Sequence, residues 1–302
     1  MFHDAGAAPA RCAQSLSVIC SLMLSVCVRI FVASSLADCG TGTRTHARTL
    51  THARRCPSGD VAAVMQVPTV VDCTGGVVWE TAYALAGWLT AGPPHARIVP
   101  AATTMAPQVD RSQSKSIGRK QTRRPAVLEL GAGCGLLGAV LARCGCDVLV
   151  TEVDQALPYL ESNVASNAPP PPGWLKCTRL LWGNAADIAT ALSMGGVEVA
   201  LHGGFDHIVA TDVIFAVSLV DPLLRTMHAC LAHHGSVHVC VQVRCADAHA
   251  AFLDRASLYF ADVCTLTPEL ARCESTAFAA SCDCELFRLG RKRPKKRLPS
   301  VQ

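Results

Sequence analysis

Residues 126–138, AVLELGAGCGLLG, decide the fold of this chain. The run before the glycines is apolar and predicts a buried parallel strand, and the residues after them predict an amphipathic helix. Gly131, Gly133 and Gly135 allow a sharp turn and the close approach of a ligand that a Cβ would block. We therefore expect a nucleotide-like ligand at this turn, although glycine-rich turns between a strand and a helix also occur without one.

The spacing of the glycines discriminates between cofactors. A dinucleotide fingerprint, G-x-G-x-x-G, would need a glycine at position 136, where this chain has Leu136. The third glycine instead comes one residue early, at Gly135, so NAD is disfavoured. The pattern of a hydrophobic residue, Glu129, leucine and three alternating glycines resembles the first motif of seven-strand methyltransferases that use S-adenosylmethionine.

The charge of the chain is unevenly distributed along it. Pro125 to Gly290 carries 8 Lys and Arg against 17 Asp and Glu, whereas the rest supplies 19 basic and 6 acidic residues. An acidic globular part with basic ends disfavours a nucleic-acid groove in the core and suits a lysine-rich protein partner.

The cysteines and histidines do not predict a metal site. The 17 cysteines include no C-x-x-C pair, which is typical of free thiols in a reducing compartment. His233, His234 and His238 lie close together, but no cysteine or carboxylate stands at ligand spacing, so we expect a solvated turn there.

Three segments are expected to lie outside the core. In residues 1–60, the uncharged and mostly apolar stretch 15–28 is followed by Arg29 and a second apolar stretch. A spanning helix would carry Arg29 inside the bilayer at a cost of about 2.5–3.5 kcal/mol, so no stable membrane anchor is expected. A cleavable leader, an organelle transit segment and a non-native start of the reading frame all fit this low-complexity segment. Proline-rich and basic residues 92–124 predict a flexible insertion, and the basic tail 291–302 is either solvated or a nuclear-import signal.

Between these segments the pattern predicts one domain, 61–290, of the α/β class. Seven strands alternate with helices, the last two without a helix of their own, giving a Rossmann-like seven-stranded mixed sheet with an antiparallel edge. The predicted strands are 126–130, 148–151, 175–181, 205–211, 237–243, 263–266 and 284–289. The predicted helices cover 75–89, 136–144, 155–167, 219–232 and 252–260.

The ends of the predicted strands carry the candidate site. Because ligands of open parallel sheets gather at the carboxyl ends of strands, Gly131, Glu152, Trp182 and Asp212 should converge on one edge. Glu152 lies about 20 residues past the glycines, where an acidic residue accepts the ribose hydroxyls. Asp154 is expected to cap the following helix instead.

Six motifs in order resemble one family. VVWETA, LELGAGCGLLG, VTEVD, ESNVASN, LLWGN and HIVATDVIF, between Thr74 and Leu289, resemble the non-SET protein-lysine methyltransferases of the methyltransferase-like group. The resemblance implies a class I methyltransferase fold, S-adenosylmethionine as cofactor, and methyl transfer to lysine in a chaperone or translation factor.

The resemblance also implies roles for individual residues. The cofactor contacts would be Trp79, Glu129, Gly131, Ala132, Gly133, Gly135, Glu152, Trp182 and Thr211. Asp212 and Phe215 would lie beside the acceptor lysine. Our hypothesis is that Asp212 orients the amine and Phe215 forms a wall of the channel. Two alternatives stay open: Trp79 could pack a helix face on the core, and Asp212 could cap the next helix.

Three substitutions depart from the family pattern. Glu152 stands where aspartate is usual, Thr211 replaces a smaller residue, and Phe215 replaces a tyrosine. Rival functions are a same-fold enzyme acting on histidine or a small molecule, and a catalytically silent adaptor. A monomer in the cytoplasm, with possible nuclear entry or organelle targeting through the leader, is the expected state.

Overall fold

A computed structural model describes residues 30–31, 50–55, 61–66, 76–100 and 123–294. Within these residues no helix combines the length and the apolarity needed to cross a membrane. Two sheets are present in the described part of the chain, one of three strands and one of seven.

The seven-stranded sheet forms the body of the domain. Its strands are β4 (Ala126–Leu130), β5 (Asp147–Glu152), β6 (Leu175–Arg179), β7 (Phe205–Thr211), β8 (Leu231–Gln242), β9 (Phe260–Thr265) and β10 (Cys284–Lys292). They lie in the order β6-β5-β4-β7-β8-β10-β9, and β10 runs antiparallel to both of its neighbours. The mixed α/β sheet is therefore confirmed, with its antiparallel strand one position inside the edge.

The strand order reverses at β4, and this reversal positions the site. The chain runs from β4 outward to β5 and β6, then returns to pair β7 on the other side of β4. Helices that follow β4 and β7 lie on opposite faces, so a crevice opens at the carboxyl ends of these two strands.

Helices cover both faces of the sheet. They are α1 (Glu80–Ala91), α2 (Leu136–Arg143), α3 (Leu157–Asn167), α4 (Ala185–Met194), α5 (Gly196–His202), α6 (Val217–Cys230), α7 (Ala246–Tyr259), α8 (Thr267–Arg272) and α9 (Phe278–Ser281). One buried cluster joins α1, α2 and α3 to the sheet, and a second joins α4, α6 and α7 to its other face. The sequence patterns missed α4 and α5, and α8 and α9 fill the connection between β9 and β10 that was expected to lack a helix.

The small sheet extends the fold into the predicted leader. It consists of β1 (Ile30–Phe31), β2 (Leu50–Arg55) and β3 (Val61–Gln66), paired antiparallel. The Asn163 and Asn167 side chains of α3 bind the backbone of β3, with each amide group bonding one N–H and one C=O of Ala63 or Met65 at 2.6–3.1 Å. The expectation of a disordered leader is therefore wrong for β1 and β2, and the rest of 1–60 lies outside the described residues.

The predicted insertion is ordered at both of its ends. Ala96 and Ile98 are buried against the core. Arg123 pairs with Asp206 at 2.5 Å, and Arg124 pairs with Asp147 at 2.7 Å. The prediction of a flexible segment over 92–124 is wrong for 92–100, 123 and 124, because apolar side chains and ion pairs attach these residues to the domain. Residues 101–122 lie outside the described part.

The basic tail begins inside a strand. β10 continues through Lys292, whose Nζ donates to the Leu231 carbonyl at 2.6 Å, and Arg291 pairs with Asp262. The first residues of the predicted tail are therefore held in a strand, although the Arg291 side chain is 74% exposed, and 295–302 lie outside the described residues.

The three clustered histidines do not share one solvated turn. β8 starts at Leu231, six residues earlier than predicted, so all three belong to the strand. His233 and His234 are exposed, but His238 is buried and its Nε2 bonds the Ser236 hydroxyl at 3.0 Å. Among the described residues no group of three or more metal-ligating side chains is arranged to hold a metal ion.

Candidate functional site

A cavity of about 650 Å³ opens at the carboxyl ends of β4, β5, β7 and β8. Ten of the predicted site residues line it: Trp79, Gly131, Ala132, Gly133, Gly135, Glu152, Trp182, Thr211, Asp212 and Phe215. The wall also contains residues that the motifs did not predict: Val77, Val78, Ala82, Cys134, Leu136, Val153, Leu180, Leu181, Val213, Leu219 and Arg244. The structure thus brings the strand-end residues together as expected.

The glycine turn forms one wall of this cavity. Gly131, Gly133 and Gly135 have φ values of 64°, 55° and 75°, which residues other than glycine rarely adopt. A Cβ on Gly131 would lie 3.1 Å from Val213 Cγ1 and 3.2 Å from the Trp182 ring. The glycines are therefore needed both for the turn and for the space beside it.

Two glutamates from adjacent strands have different surroundings. Glu152, at the end of β5, lines the cavity, and its two oxygens accept the backbone N–H groups of Gly133 at 3.0 Å and Val153 at 2.7 Å. Burial raises the pKa of Glu152, and those two hydrogen bonds oppose the change. A carboxylate has about four acceptor positions, so Glu152 can still accept two hydroxyl groups.

Glu129, by contrast, does not reach the cavity. Its side chain is buried below the turn, where Oε2 accepts the N–H of Gly138 in the first turn of α2 at 2.8 Å. Burial raises the pKa of Glu129 to about 8. The expected cofactor contact is therefore wrong for Glu129, which fixes the start of α2 on β4 instead.

Asp212 occupies a strained position at the end of β7. Its backbone has φ 52°, in the left-handed region, and its side chain is only 8% exposed. Oδ1 accepts the Gln242 N–H at 2.8 Å, and Oδ2 accepts the Thr81 hydroxyl at 3.0 Å. Burial raises the pKa of Asp212, and these hydrogen bonds oppose that change. Since α6 begins after Ala216, Asp212 does not cap that helix.

Trp79 and Arg244 also line the cavity. Trp79 precedes α1 with an extended backbone, so the alternative of a helix face packed on the core is wrong for it. The Arg244 guanidinium lies over the Trp79 ring, 4.8 Å from its centroid, and 3.9 Å from Asp212 Oδ2. Arg244 could have been predicted as a site residue from the sequence, because it directly follows the predicted strand 237–243.

Aromatic and apolar side chains complete the cavity. The rings of Trp182 and Phe215 lie 6.3 Å apart at 51°, and Phe215 is 51% exposed, so it stands at the mouth. Asp154, which was expected to cap the next helix, instead pairs with Arg179 at 2.9 Å, and that prediction is wrong. Within the described residues, the site therefore combines a buried carboxylate, a strand-end glutamate and one cation inside largely apolar walls.

Comparison with known proteins identifies the family. A family model described as lysine methyltransferase matches residues 67–258. Protein N-lysine methyltransferase METTL21A of Mus musculus is 36% identical over 118 residues, covering 38% of this chain and 48% of that protein. EEF1A lysine methyltransferase 3 of Mus musculus is 30% identical over 122 residues, covering 40% of this chain and 47% of that protein.

The matched region spans about half the length of these curated relatives. Among solved structures, the Thermus thermophilus 16S rRNA N2 G1207 methyltransferase matches with a TM-score of 0.47 and 14% identity, over 92% of this chain and 62% of that chain. The fold class rests on the strand order of the sheet itself. The family model covers well over half of the sequence, and this chain belongs to the lysine methyltransferase family that the model describes.

Proposed function

We propose that this protein transfers a methyl group from S-adenosylmethionine to a lysine side chain of a protein. The observation that carries the proposal is the cavity at the strand ends, which is lined by Glu152, the glycine turn, Asp212 and Phe215. Membership of the lysine methyltransferase family supports the same reaction.

The residues of the cavity fit the cofactor. A Cβ on Gly131 would crowd Val213 and Trp182 of the cavity wall, and Glu152 presents a carboxylate at the end of the strand next to the turn. Val153, Leu180 and Leu181 provide an apolar slot for a purine on the same side. A volume of about 650 Å³ lies within the 300–1,000 Å³ range of small-molecule sites.

Bound S-adenosylmethionine would supply an electrophilic methyl group for attack by a neutral amine. Lysine has a pKa near 10.4, so its deprotonation at neutral pH costs on the order of 4 kcal/mol. The protein's contribution would be alignment of the amine and exclusion of water. Asp212 is held at the cavity by Gln242 and Thr81 and would orient the amine, while Phe215 would wall the channel at its mouth.

The substrate class follows from the relatives and from the charge of the domain. One relative is named for lysine methylation of EEF1A, which supports a translation factor as substrate, and a chaperone is the other proposed class. The acidic segment 125–290 suits a lysine-rich surface on the partner. Action as a monomer in the cytoplasm stays part of the proposal.

Labelled cofactor tests the reaction. The purified protein is incubated with a cell extract and S-adenosylmethionine that carries a tritiated methyl group. A radioactive protein band whose hydrolysate contains methyl-lysine supports the proposal. Label confined to small metabolites, or recovered as methyl-histidine, would overturn it, and the absence of S-adenosylhomocysteine binding would favour the adaptor.

The variant Asp212→Asn isolates the role of that carboxylate. Asparagine tolerates the left-handed backbone of this position and keeps a hydrogen-bond acceptor, so the substitution removes mainly the charge. We expect kcat to fall about 10- to 100-fold, because alignment of the amine is lost, with cofactor affinity changed less than threefold. Unchanged turnover would remove Asp212 from the reaction.

A further inference from the structure

Arg244 lines the cavity but has no role in the proposed reaction so far. Among the described residues that line the cavity, it carries the only positive charge, against the two carboxylates of Glu152 and Asp212. Its side chain is 44% exposed, and an Nη2 hydrogen bond to Gln242 Oε1 anchors one edge of the guanidinium. Within the described residues, no acceptor forms a hydrogen bond with the Nε–H or Nη1–H groups of Arg244.

The orientation of the guanidinium is fixed by its neighbours. The guanidinium carbon lies 4.8 Å from the centroid of the Trp79 ring, which favours a cation there, and Asp212 Oδ2, 3.9 Å from Nη2, attracts the group from one side. The free Nε–H and Nη1–H groups point to different edges of the guanidinium, so each can donate a charge-assisted hydrogen bond to an oxygen of an anion. The site therefore offers a preorganised position for a small anion.

The direction in which the cofactor would lie follows from the sheet order. Glu152 ends β5 and Arg244 follows β8, with β4 and β7 between them, so three strand spacings of about 14 Å in total separate the two strands. The apolar slot of Val153, Leu180 and Leu181 lies on the β5 and β6 side. If Glu152 holds the ribose and the slot holds the purine, the amino-acid part would extend along the cavity towards the residues after β7 and β8.

We propose that Arg244, stacked on Trp79, binds the carboxylate of the amino-acid part of the cofactor. This inference rests on the proposed function. The amino-acid end carries the single negative charge of S-adenosylmethionine, and Arg244 is its charge complement in the described cavity wall. Arg244 is then a binding residue, which sets the position of the cofactor's amino-acid end.

Calorimetry with two ligands tests the assignment. S-Adenosylhomocysteine contains the amino acid, whereas 5′-methylthioadenosine keeps the nucleoside and the thioether without it. We expect Arg244→Met to weaken the first ligand about 10- to 100-fold, the usual effect of losing a charge-assisted hydrogen-bonded pair, and to leave the second within twofold. Arg244→Lys should fall between, because lysine keeps the charge without the planar fork.

A matched control separates this effect from a general loss of charge. Arg255 pairs with Asp221 at 2.7 Å on α7, away from the cavity wall, so Arg255→Met should bind both ligands as the unchanged protein does. Binding of 5′-methylthioadenosine by Arg244→Met also shows that the variant is folded.

The outcomes distinguish the two proposals. If the unchanged protein binds neither ligand, the proposed function fails and this inference fails with it. If it binds both, but Arg244→Met weakens them equally or leaves S-adenosylhomocysteine unaffected, only the role of Arg244 is overturned. A raised KM for the protein substrate at unchanged S-adenosylhomocysteine affinity would assign Arg244 to the substrate instead.

Discussion

The two ends of the parallel strands are built from different interactions. At the carboxyl ends, Gly131 and Asp212 adopt left-handed backbone conformations, and the polar groups around them open into a cavity. At the amino ends, Asp206 accepts the Ala126 N–H at 2.8 Å and pairs with Arg123, and Asp147 pairs with Arg124. These charges at the amino ends are thus neutralised within the protein, whereas Glu152, Asp212 and Arg244 at the carboxyl ends line a cavity.

This difference separates residues that bind from residues that stabilise. A substitution at the carboxyl ends should change ligand affinity more than stability, and one at the amino ends should do the reverse. Local strain at Asp212 is held by hydrogen bonds from α1 and β8, which is the expected arrangement at a functional position.

Gly131→Ala should have the largest effect. The added Cβ would lie within 3.2 Å of Val213 and Trp182, at a φ that costs alanine about 1–2 kcal/mol. We expect S-adenosylhomocysteine affinity to fall at least 100-fold, about 2.7 kcal/mol, measured by calorimetry. The control is Gly196→Ala, which has φ 77° but meets nothing within 4 Å. If both variants bind equally well, the turn is not the ligand wall.

Two buried histidines, His207 on β7 and His238 on β8, should make the stability of the protein depend on pH. Burial lowers the pKa of His238 to about 3 and that of His207 to about 4, with Asp206 and Arg123 near His207 and Arg288 near His238. Both side chains bond the Ser236 hydroxyl. The unfolded chain therefore binds more protons below pH 6.5, so stability falls as pH falls towards 4.

The size of this loss can be measured by urea unfolding. Between pH 7 and pH 5, His238 alone should cost about 2 kcal/mol of unfolding free energy. His238→Leu replaces the buried imidazole with an apolar side chain and should reduce the pH dependence by that amount. An unchanged slope in this variant would show that His238 is not buried in its neutral form.

Much of the site could be predicted from the sequence, because strand ends in a parallel sheet share one edge. That rule located Glu152, Trp182 and Asp212, and it would also have located Arg244 if applied to β8. The sequence could not predict which face of the sheet the Glu129 side chain lies on. All five residues of β4 are buried, so the pattern of polar and apolar residues does not distinguish the two faces.

The remaining differences also have physical causes. The polar run HHGSVH concealed the first half of β8, where pairing with β7 overrides local composition. The start of helix α4 could have been predicted, because asparagine is a preferred N-cap residue and Asn184 directly precedes the helix. In the structure its side chain accepts the N–H groups of Ala186 and Asp187 at 3.0 and 3.1 Å.

Substitution of the two glutamates should have a smaller effect, and it should differ between them. Glu152→Gln should weaken S-adenosylhomocysteine about 10-fold, because the amide is a weaker acceptor for the ribose hydroxyls than the carboxylate. Glu129→Gln should leave affinity within twofold, since the pKa of Glu129 is about 8 and an uncharged side chain already fits its site. Equal losses in the two calorimetric titrations would contradict the separation of their roles.

Arg124→Met should have the smallest effect and should change stability alone. Its guanidinium bonds Asp147 and the Cys146 carbonyl, both at 2.7 Å, and its side chain is 26% exposed. Because water still reaches the pair, we expect a loss of about 1 kcal/mol in urea unfolding, with unchanged S-adenosylhomocysteine affinity. A loss of affinity here would mean that the amino ends of the strands control the cavity, and the division between binding and stabilising ends would fail.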